Sequence, residues 1–262
     1  MKTYVGMISS DWSQCLSPNG PFDPLVFLYP EMEPDLSLIF KQYTGNAISL
    51  GEAIGRVKAM LPRWPSTAQL DDYLKACFET YPGVPALIRW CRQNGILFMV
   101  NTTNFAAYFQ RVFAESLLPT IDALSAQFKW SFHLAEKSPE HLVDLNEVED
   151  KAQNTAAIAH QFSIPHHRIV LMGDSGGDGP HFDWGTKIGA TLVGSMTKPS
   201  LSRFCRERKI TIHHHVGHTY QDGESVSKDK ERDFDFQNLI PILETALGTP
   251  PSSRQDPPGQ QN

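Results

Sequence analysis

Arg168-Ile-Val-Leu-Met-Gly-Asp-Ser-Gly-Gly-Asp178 is the stretch on which the fold turns. Residues 168–172 end in an unbroken apolar run, the pattern of a strand buried on both faces, as in a parallel sheet. The run then gives way to two aspartates, Asp174 and Asp178, set among Gly173, Gly176 and Gly177. Two carboxylates among three glycines at the end of a buried strand is an odd way to make a plain turn. It is a good way to hold a hard cation through oxygen atoms.

The same alternation extends in both directions. Upstream, Ala152, Thr155, Ala156, Ala159 and Phe162 recur at helical spacing, with Lys151 at the start of that helix. Further back, Gly95-Ile-Leu-Phe-Met-Val-Asn-Thr-Thr103 reads as a buried strand, followed by an amphipathic helix carrying Phe105, Phe109, Val112 and Phe113. Before it, Val84, Leu87, Ile88 and Cys91 mark a helix that stops at Asn94-Gly95. The N-terminal run Tyr4–Ser10 reads as another buried strand that delivers Asp11 into a loop. Downstream, residues 190–194 and 210–214 read as strands, and 200–208 and 236–246 as helices. Strands alternating with helices predict an α/β fold with a doubly wound, Rossmann-like parallel sheet.

One stretch breaks the alternation. Residues 35–61 and 67–80 show helical spacing and are separated by Pro62 and Pro65, after a Pro-, Gly- and aromatic-rich segment from Pro18. The expected organisation is an α/β core of residues 1–17 and 82–248, a small helical cap domain over 18–81, and a disordered Pro/Gln/Ser-rich tail over 249–262.

Composition narrows the functional classes. With 23 Lys and Arg against 29 Asp and Glu, the net charge of −6 argues against a nucleic-acid partner, which calls for a basic face. No apolar run approaches the roughly 18 residues of a spanning helix, so no membrane partner is expected. The N-terminus lacks a signal-peptide core, and Cys15, Cys77, Cys91 and Cys205 include no Cys-x-x-Cys pair, so a reducing cytoplasmic location is expected. His213, His214, His215 and His218 invite a metal reading, but adjacent residues of a strand face opposite ways and no acidic partner is evident.

In a parallel sheet all strand carboxyl ends lie on one edge, so Asp11, Thr102, Lys151 and the 173–178 loop can meet around one phosphate-sized volume. A carboxylate at 11 can attack phosphorus and later be freed by water, while Asp11, Asp174 and Asp178 can hold Mg²⁺. Lys151 would neutralise charge and bind the phosphoryl group. Thr102 would hydrogen-bond phosphate oxygens, and Thr103 is the neighbouring candidate. Each of these also has a plain reading: Asp11 as a helix cap, the threonines as ordinary strand ends, Lys151 as a surface charge. Only the ordered set favours chemistry.

Taken in order, SSDWS, FMVNTT, DKAQNT and VLMGDSGGD resemble the four motifs of the haloacid dehalogenase superfamily, over about Tyr4 to Val193. The helical stretch after the first motif is similar to the cap of the subgroup that includes phosphoserine phosphatase and the methionine-salvage phosphatase. The resemblance implies a Mg²⁺-dependent hydrolase of a small phosphorylated or otherwise anionic substrate, acting through an aspartyl phosphate on Asp11. It also leaves oligomeric state open, a homodimer included. The family's phosphatases carry Asp-x-Asp in the first motif, the second Asp protonating the leaving oxygen; here Asp11-Trp12-Ser13 supplies a hydroxyl. Ser13 would tune or replace the acid step and stands with the metal set. Four alternatives therefore stay open: carbon–phosphorus cleavage, with a Schiff-base lysine among Lys41, Lys58 and Lys75; carbon–halogen cleavage; a leaving group acidic enough to depart without protonation; and a catalytically silent protein that binds a phosphometabolite. Lys137 is the second candidate for the third-motif lysine. Trp12, Phe22, Phe27 and Tyr29 are candidates for lining the pocket, and His181 and Phe182 for facing it.

Overall fold

The computed structural model describes residues 2–132 and 139–248; the tail expected to be disordered and Lys137 lie outside them. A seven-stranded sheet forms the centre, in the order β4-β3-β2-β1-β5-β6-β7, with every neighbouring pair parallel. The strands are β1 (Gly6–Ser10), β2 (Ile96–Phe105), β3 (Ala123–Gln127), β4 (His141–Asp144), β5 (Ile169–Gly173), β6 (Thr191–Ser195) and β7 (His214–Val216). Because β2 and β5 flank β1 on opposite sides, the chain reverses its winding at β1. Ligands of such sheets bind outside the strand carboxyl ends at this reversal.

Alternation along the strands divides the core into two layers. Ile8, Phe98, Val100, Val170, Met172 and Val193 face one side, where they meet α5 (Val84–Gln93), α6 (Ala106–Ala114) and α11 (Ile240–Leu247). Met7, Leu97, Met99, Leu171 and Leu192 face the other, against α7 (Asp150–Gln161), α8 (Gly179–Ile188) and α9 (Pro199–Glu207). A short α10 (Lys228–Arg232) precedes the C-terminal turn. No helix among the described residues is long and apolar enough to cross a membrane.

Between β1 and α5 the chain forms four helices: α1 (Asp23–Leu28), α2 (Glu33–Thr44), α3 (Leu50–Met60) and α4 (Thr67–Cys77). Local chemistry sets their ends. Ser49 accepts a hydrogen bond from Glu52 N at the start of α3, and Ser66 and Gln69 form a capping box at the start of α4. The insertion is tied to the sheet edge at two places. The Glu147 carboxylate accepts hydrogen bonds from the Leu50 and Gly51 amides at the N-terminus of α3, at 2.8 and 3.0 Å. Trp64, between α3 and α4, stacks on Trp130 with ring centroids 5.2 Å apart.

Several elements, the short α1 and α10 among them, depart from the sequence-based expectation. β3, β4 and α8 were not foreseen, and the last strand lies at His214–Val216 rather than 210–214. β3 is Ala-Leu-Ser-Ala-Gln and β4 is His-Leu-Val-Asp, both short and poor in β-branched residues. The α8 sequence contains two glycines and a proline, although Pro180 sits in the first turn, where it fits a helix.

Candidate active site

The structure brings Asp11, Lys151, Asp174 and Asp178 together beyond the carboxyl ends of β1 and β5. Asp11 follows β1 directly, and its amide donates to the Met172 carbonyl, which fixes the end of β1 to β5. The chain then turns tightly: the Trp12 carbonyl accepts from the amides of Cys15, Leu16 and Ser17, and Gln14 adopts φ 57°. The loop after β5 is equally tight. Asp178 folds back so that its Oδ2 accepts from the Asp174 and Ser175 amides, at 2.9 and 3.3 Å. Gly173 makes room for this, since a Cβ there would stand 2.5 Å from Asp178 Cβ.

Lys151, 1% exposed in the first turn of α7, bridges the carboxylates: its Nζ lies 2.6 Å from Asp178 Oδ1 and 3.0 Å from Asp11 Oδ2. The other Asp11 oxygen accepts from the Trp12 amide at 2.6 Å. The first turn of α7 is itself held from below. Asn101 donates to the Lys151 carbonyl at 2.8 Å and to Thr155 Oγ1 at 3.0 Å, and Thr155 Oγ1 lies 2.9 Å from His181 Nε2. His181 therefore lies behind α7, stacked on Trp184, and burial with the nearby Lys151 charge pushes its pKa down to about 3.

Carboxylates outnumber cations here. One oxygen from each of Asp11, Asp174 and Asp178 can be chosen within 4.8 Å of the others; among the described residues this is the one cluster of three or more acidic, His or Cys side chains so placed. Burial, then Asp178 and Asp11, push the Asp174 pKa well above the usual carboxylate range, and Lys198 and Lys151 offset only part of this. Burial also raises the Asp11 pKa, opposed by Lys151 and reinforced by Asp178. Burial would lower the Lys151 pKa, but Asp11 and Asp178 outweigh it and hold the ammonium protonated. Two buried polar atoms at the cluster have no hydrogen-bond partner among the described residues, Asp174 Oδ1 and Ser13 Oγ. A surplus of buried negative charge with a free carboxylate oxygen fits a hard divalent cation such as Mg²⁺. Asp11 and Asp174 would hold it with Ser13 beside it. Both oxygens of Asp178, met by Lys151 and the loop amides, and both of Asp11, met by Lys151 and the Trp12 amide, already have partners, whereas Asp174 Oδ1 has none among the described residues.

The remaining candidates fall on either side of this centre. Thr103, not Thr102, lines the pocket with Asp11. Thr102 Oγ1 is turned back to accept from the Asn104 amide at 3.3 Å. The pairing of β2 with β3 shifts register between Asn101 and Phe105, so the strand end does not continue the regular ladder there. Trp12 packs in the core against Phe78 and Phe109, and Phe27 is exposed. The rings in the pocket wall are Phe40 and Tyr43 of α2, the latter with its hydroxyl 3.2 Å from Thr103 Oγ1. The periodicity of α2 places Tyr43 on its buried face but does not say what it faces. Gly176 lets α2 approach this closely, since a Cβ there would lie 2.4 Å from the Thr44 carbonyl oxygen. Lys41, Lys58 and Lys75 are exposed and do not line the pocket. His213 Nδ1 accepts from the Leu192 amide and His215 Nδ1 lies 3.2 Å from Thr197 Oγ1, so these rings serve the sheet edge.

No family model matches the sequence, and no curated protein does. Solved structures do. A phosphoserine phosphatase solved as a phospho-aspartyl intermediate analogue is similar over 92% of this chain and 99% of its own, at 14% identity and a TM-score of 0.65. A substrate-bound phosphoserine phosphatase gives the same figures. A haloacid dehalogenase family hydrolase from Salmonella enterica serovar Typhi is similar over 82% of this chain and 68% of its own, at 16% identity and a TM-score of 0.59. At these identities the likeness establishes the fold: a haloacid dehalogenase-type α/β fold of the phosphoserine phosphatase kind.

Proposed function

We propose that the chain is a Mg²⁺-dependent phosphatase-type hydrolase that works through an aspartyl phosphate on Asp11. The observation that carries this reading is the buried cluster itself: three carboxylates, one bridging lysine, and two unpartnered polar atoms at the reversal point of the sheet. Bound Mg²⁺ would offset the carboxylate charge and stabilise that of the transferring phosphoryl group. The Asp11 oxygens are held by the Trp12 amide and Lys151, which fixes the direction from which the carboxylate meets phosphorus. Attack forms the aspartyl phosphate and expels the ester oxygen; water then displaces Asp11 from phosphorus. Lys151 neutralises charge on Asp11 and on the phosphoryl oxygens, and Asp178 positions Lys151. Thr103 takes the phosphate-binding place expected of Thr102.

The helical insertion, residues 18–81, acts as a cap. The void between α2 and Asp11 is about 10 Å³, enough for one water, so a phosphate ester enters only when α2 draws back. The test is phosphate release from small phosphate esters and acyl phosphates, with Mg²⁺ or EDTA, for wild type and Asp11→Asn. Release that needs both Mg²⁺ and Asp11, with an acid-stable 80 Da adduct on the protein after rapid quench (~one phosphoryl group), is the expected result. Release that survives Asp11→Asn would sink the mechanism. Binding without release, seen as ligand-induced stabilisation alone, would replace it with a silent binding protein.

A further inference from the structure

The wall that α2 presents to the pocket consists of Phe40, Tyr43 and Thr44, and none of them carries a charge. The charged lining residues, Asp11, Lys151 and Asp174, all belong to the core: Asp11 and Lys151 pair with each other, and Asp174 is the carboxylate that would hold the cation in the reading above. Phe40 and Tyr43 meet edge to face with centroids 5.5 Å apart, and Phe22 braces both at 6.3 and 6.4 Å. Once α2 has drawn back to admit a substrate and settles on it, what lies beyond phosphorus meets the rings and hydroxyls of this wall. An amino-acid group would have to bury an ammonium and a carboxylate there without partners, which is costly for each charge.

A second observation concerns proton supply. An alkoxide leaving phosphorus needs a proton, and a positioned acid supplies it with a gain of about 10²–10⁴-fold. Among the described lining residues, Ser13, Thr44, Thr103 and Ser175 offer hydroxyls about as weakly acidic as the alcohol itself, and the carboxyl of Asp174 is committed to the cation in the reading above. Lys151 is shared between Asp11 and Asp178, and the Tyr43 hydroxyl is paired with Thr103. A phenol, ionising near pH 10 as tyrosine does, departs with far less help.

Resting on the phosphatase reading above, we propose that the site is built for the phosphate ester of an aromatic hydroxyl, its uncharged ring lying against Phe40 and Tyr43. The bond between phosphorus and the phenolic oxygen breaks with its electron pair going to the phenolate, as the bond from Asp11 to phosphorus forms. The phenolate takes its proton from solvent. Water then releases inorganic phosphate and restores Asp11.

The experiment measures phosphate release by the full chain with Mg²⁺ from phenyl phosphate, glycerol phosphate, phosphoserine and acetyl phosphate. Acetyl phosphate is an activated phosphoryl donor without a ring, so it reports the phosphoryl-transfer chemistry alone. Asp11-dependent release from acetyl phosphate is expected, with kcat/KM for phenyl phosphate about 100-fold or more above that for glycerol phosphate and phosphoserine. Phe40→Ala should lower the ratio of phenyl to acetyl phosphate kcat/KM by about 5–10-fold, the worth of one ring contact. Ser13→Asp should raise the rate on glycerol phosphate. Turnover of acetyl phosphate with no preference for phenyl over glycerol phosphate, or a Phe40→Ala loss equal on both donors, overturns the aryl assignment and leaves the phosphatase reading in place. Absence of Asp11-dependent release from acetyl phosphate overturns the reading beneath it, and the assignment with it.

Discussion

Lys151 and Lys198 are both buried and both face carboxylates, yet their surroundings differ in kind. Lys198 meets Glu231 at 2.5 Å, and Glu231 also accepts from the Tyr81 and Tyr220 hydroxyls at 2.6 and 2.9 Å. One cation meets one anion there, and the carboxylate oxygens are occupied. Around Lys151 three carboxylates converge, and Asp174 Oδ1 and Ser13 Oγ have no hydrogen-bond partner among the described residues. A balanced and saturated cluster serves the fold, whereas an unbalanced and unsaturated one has chemistry still to complete. Burial alone would not have told the two lysines apart.

The comparison can be broken most directly at Asp11. Asp11→Asn should lower phosphate release at least about 10³-fold, as loss of a nucleophile does. Its urea midpoint should hold or rise, because one charge leaves an over-negative cluster. Unfolding of this variant would mean that Asp11 is structural after all. At the other lysine the pattern should invert. Lys198→Met leaves Glu231 buried without its cation, at a cost of about 3–5 kcal/mol in urea denaturation, and because the Lys198 charge also acts on Asp174 the rate per folded molecule should fall, though far less than for Asp11→Asn. The pair Lys198→Met with Glu231→Leu should recover most of that stability. Next in size is the metal: Mg²⁺ at 100 times its Kd should raise stability by about 2.7 kcal/mol. Asp174→Asn should abolish the shift, and an equal shift in that variant would place the ion elsewhere.

The smallest effect concerns His181, buried beside the same helix but neutral. Its folded pKa, near 3, lies below the unfolded value of about 6.5, so the unfolded chain binds the proton more readily. Stability should therefore be lost as the pH is lowered from about 6.5 towards 3, by up to about 1.4 kcal/mol per unit from this residue. His181→Gln should remove that slope, and matching pH profiles for the two proteins would refute the assignment.

The parallel sheet was legible because its four central strands, β1, β2, β5 and β6, are buried apolar runs that end in polar loops. β3 and β4 escaped because Ala, Ser and Gln carry little strand preference, and their burial comes from neighbours rather than from their own chemistry. Asp11, Lys151, Asp174 and Asp178 could be named in advance because strand ends and a helix start announce them. Thr102 was named from its place at the end of an apolar strand, and that place does not say which of two adjacent threonines faces the pocket; Thr103 does. Lys198, Glu231 and Tyr43 carry no local signal. Their roles arise from contacts 33 and 60 residues away along the chain, Lys198 to Glu231 and Tyr43 to Thr103. The two-lysine contrast is thus a property of three-dimensional bookkeeping that sequence spacing cannot supply.

Trp64 and Trp130 bring the last point, for their stack joins the insertion to the end of the sheet. Two indoles this close share their electronic transitions, and separating them alters near-ultraviolet circular dichroism and emission. The protein thus carries its own optical gauge of whether α2 and its neighbours are docked. Stopped-flow fluorescence on the unlabelled chain can time that movement against turnover.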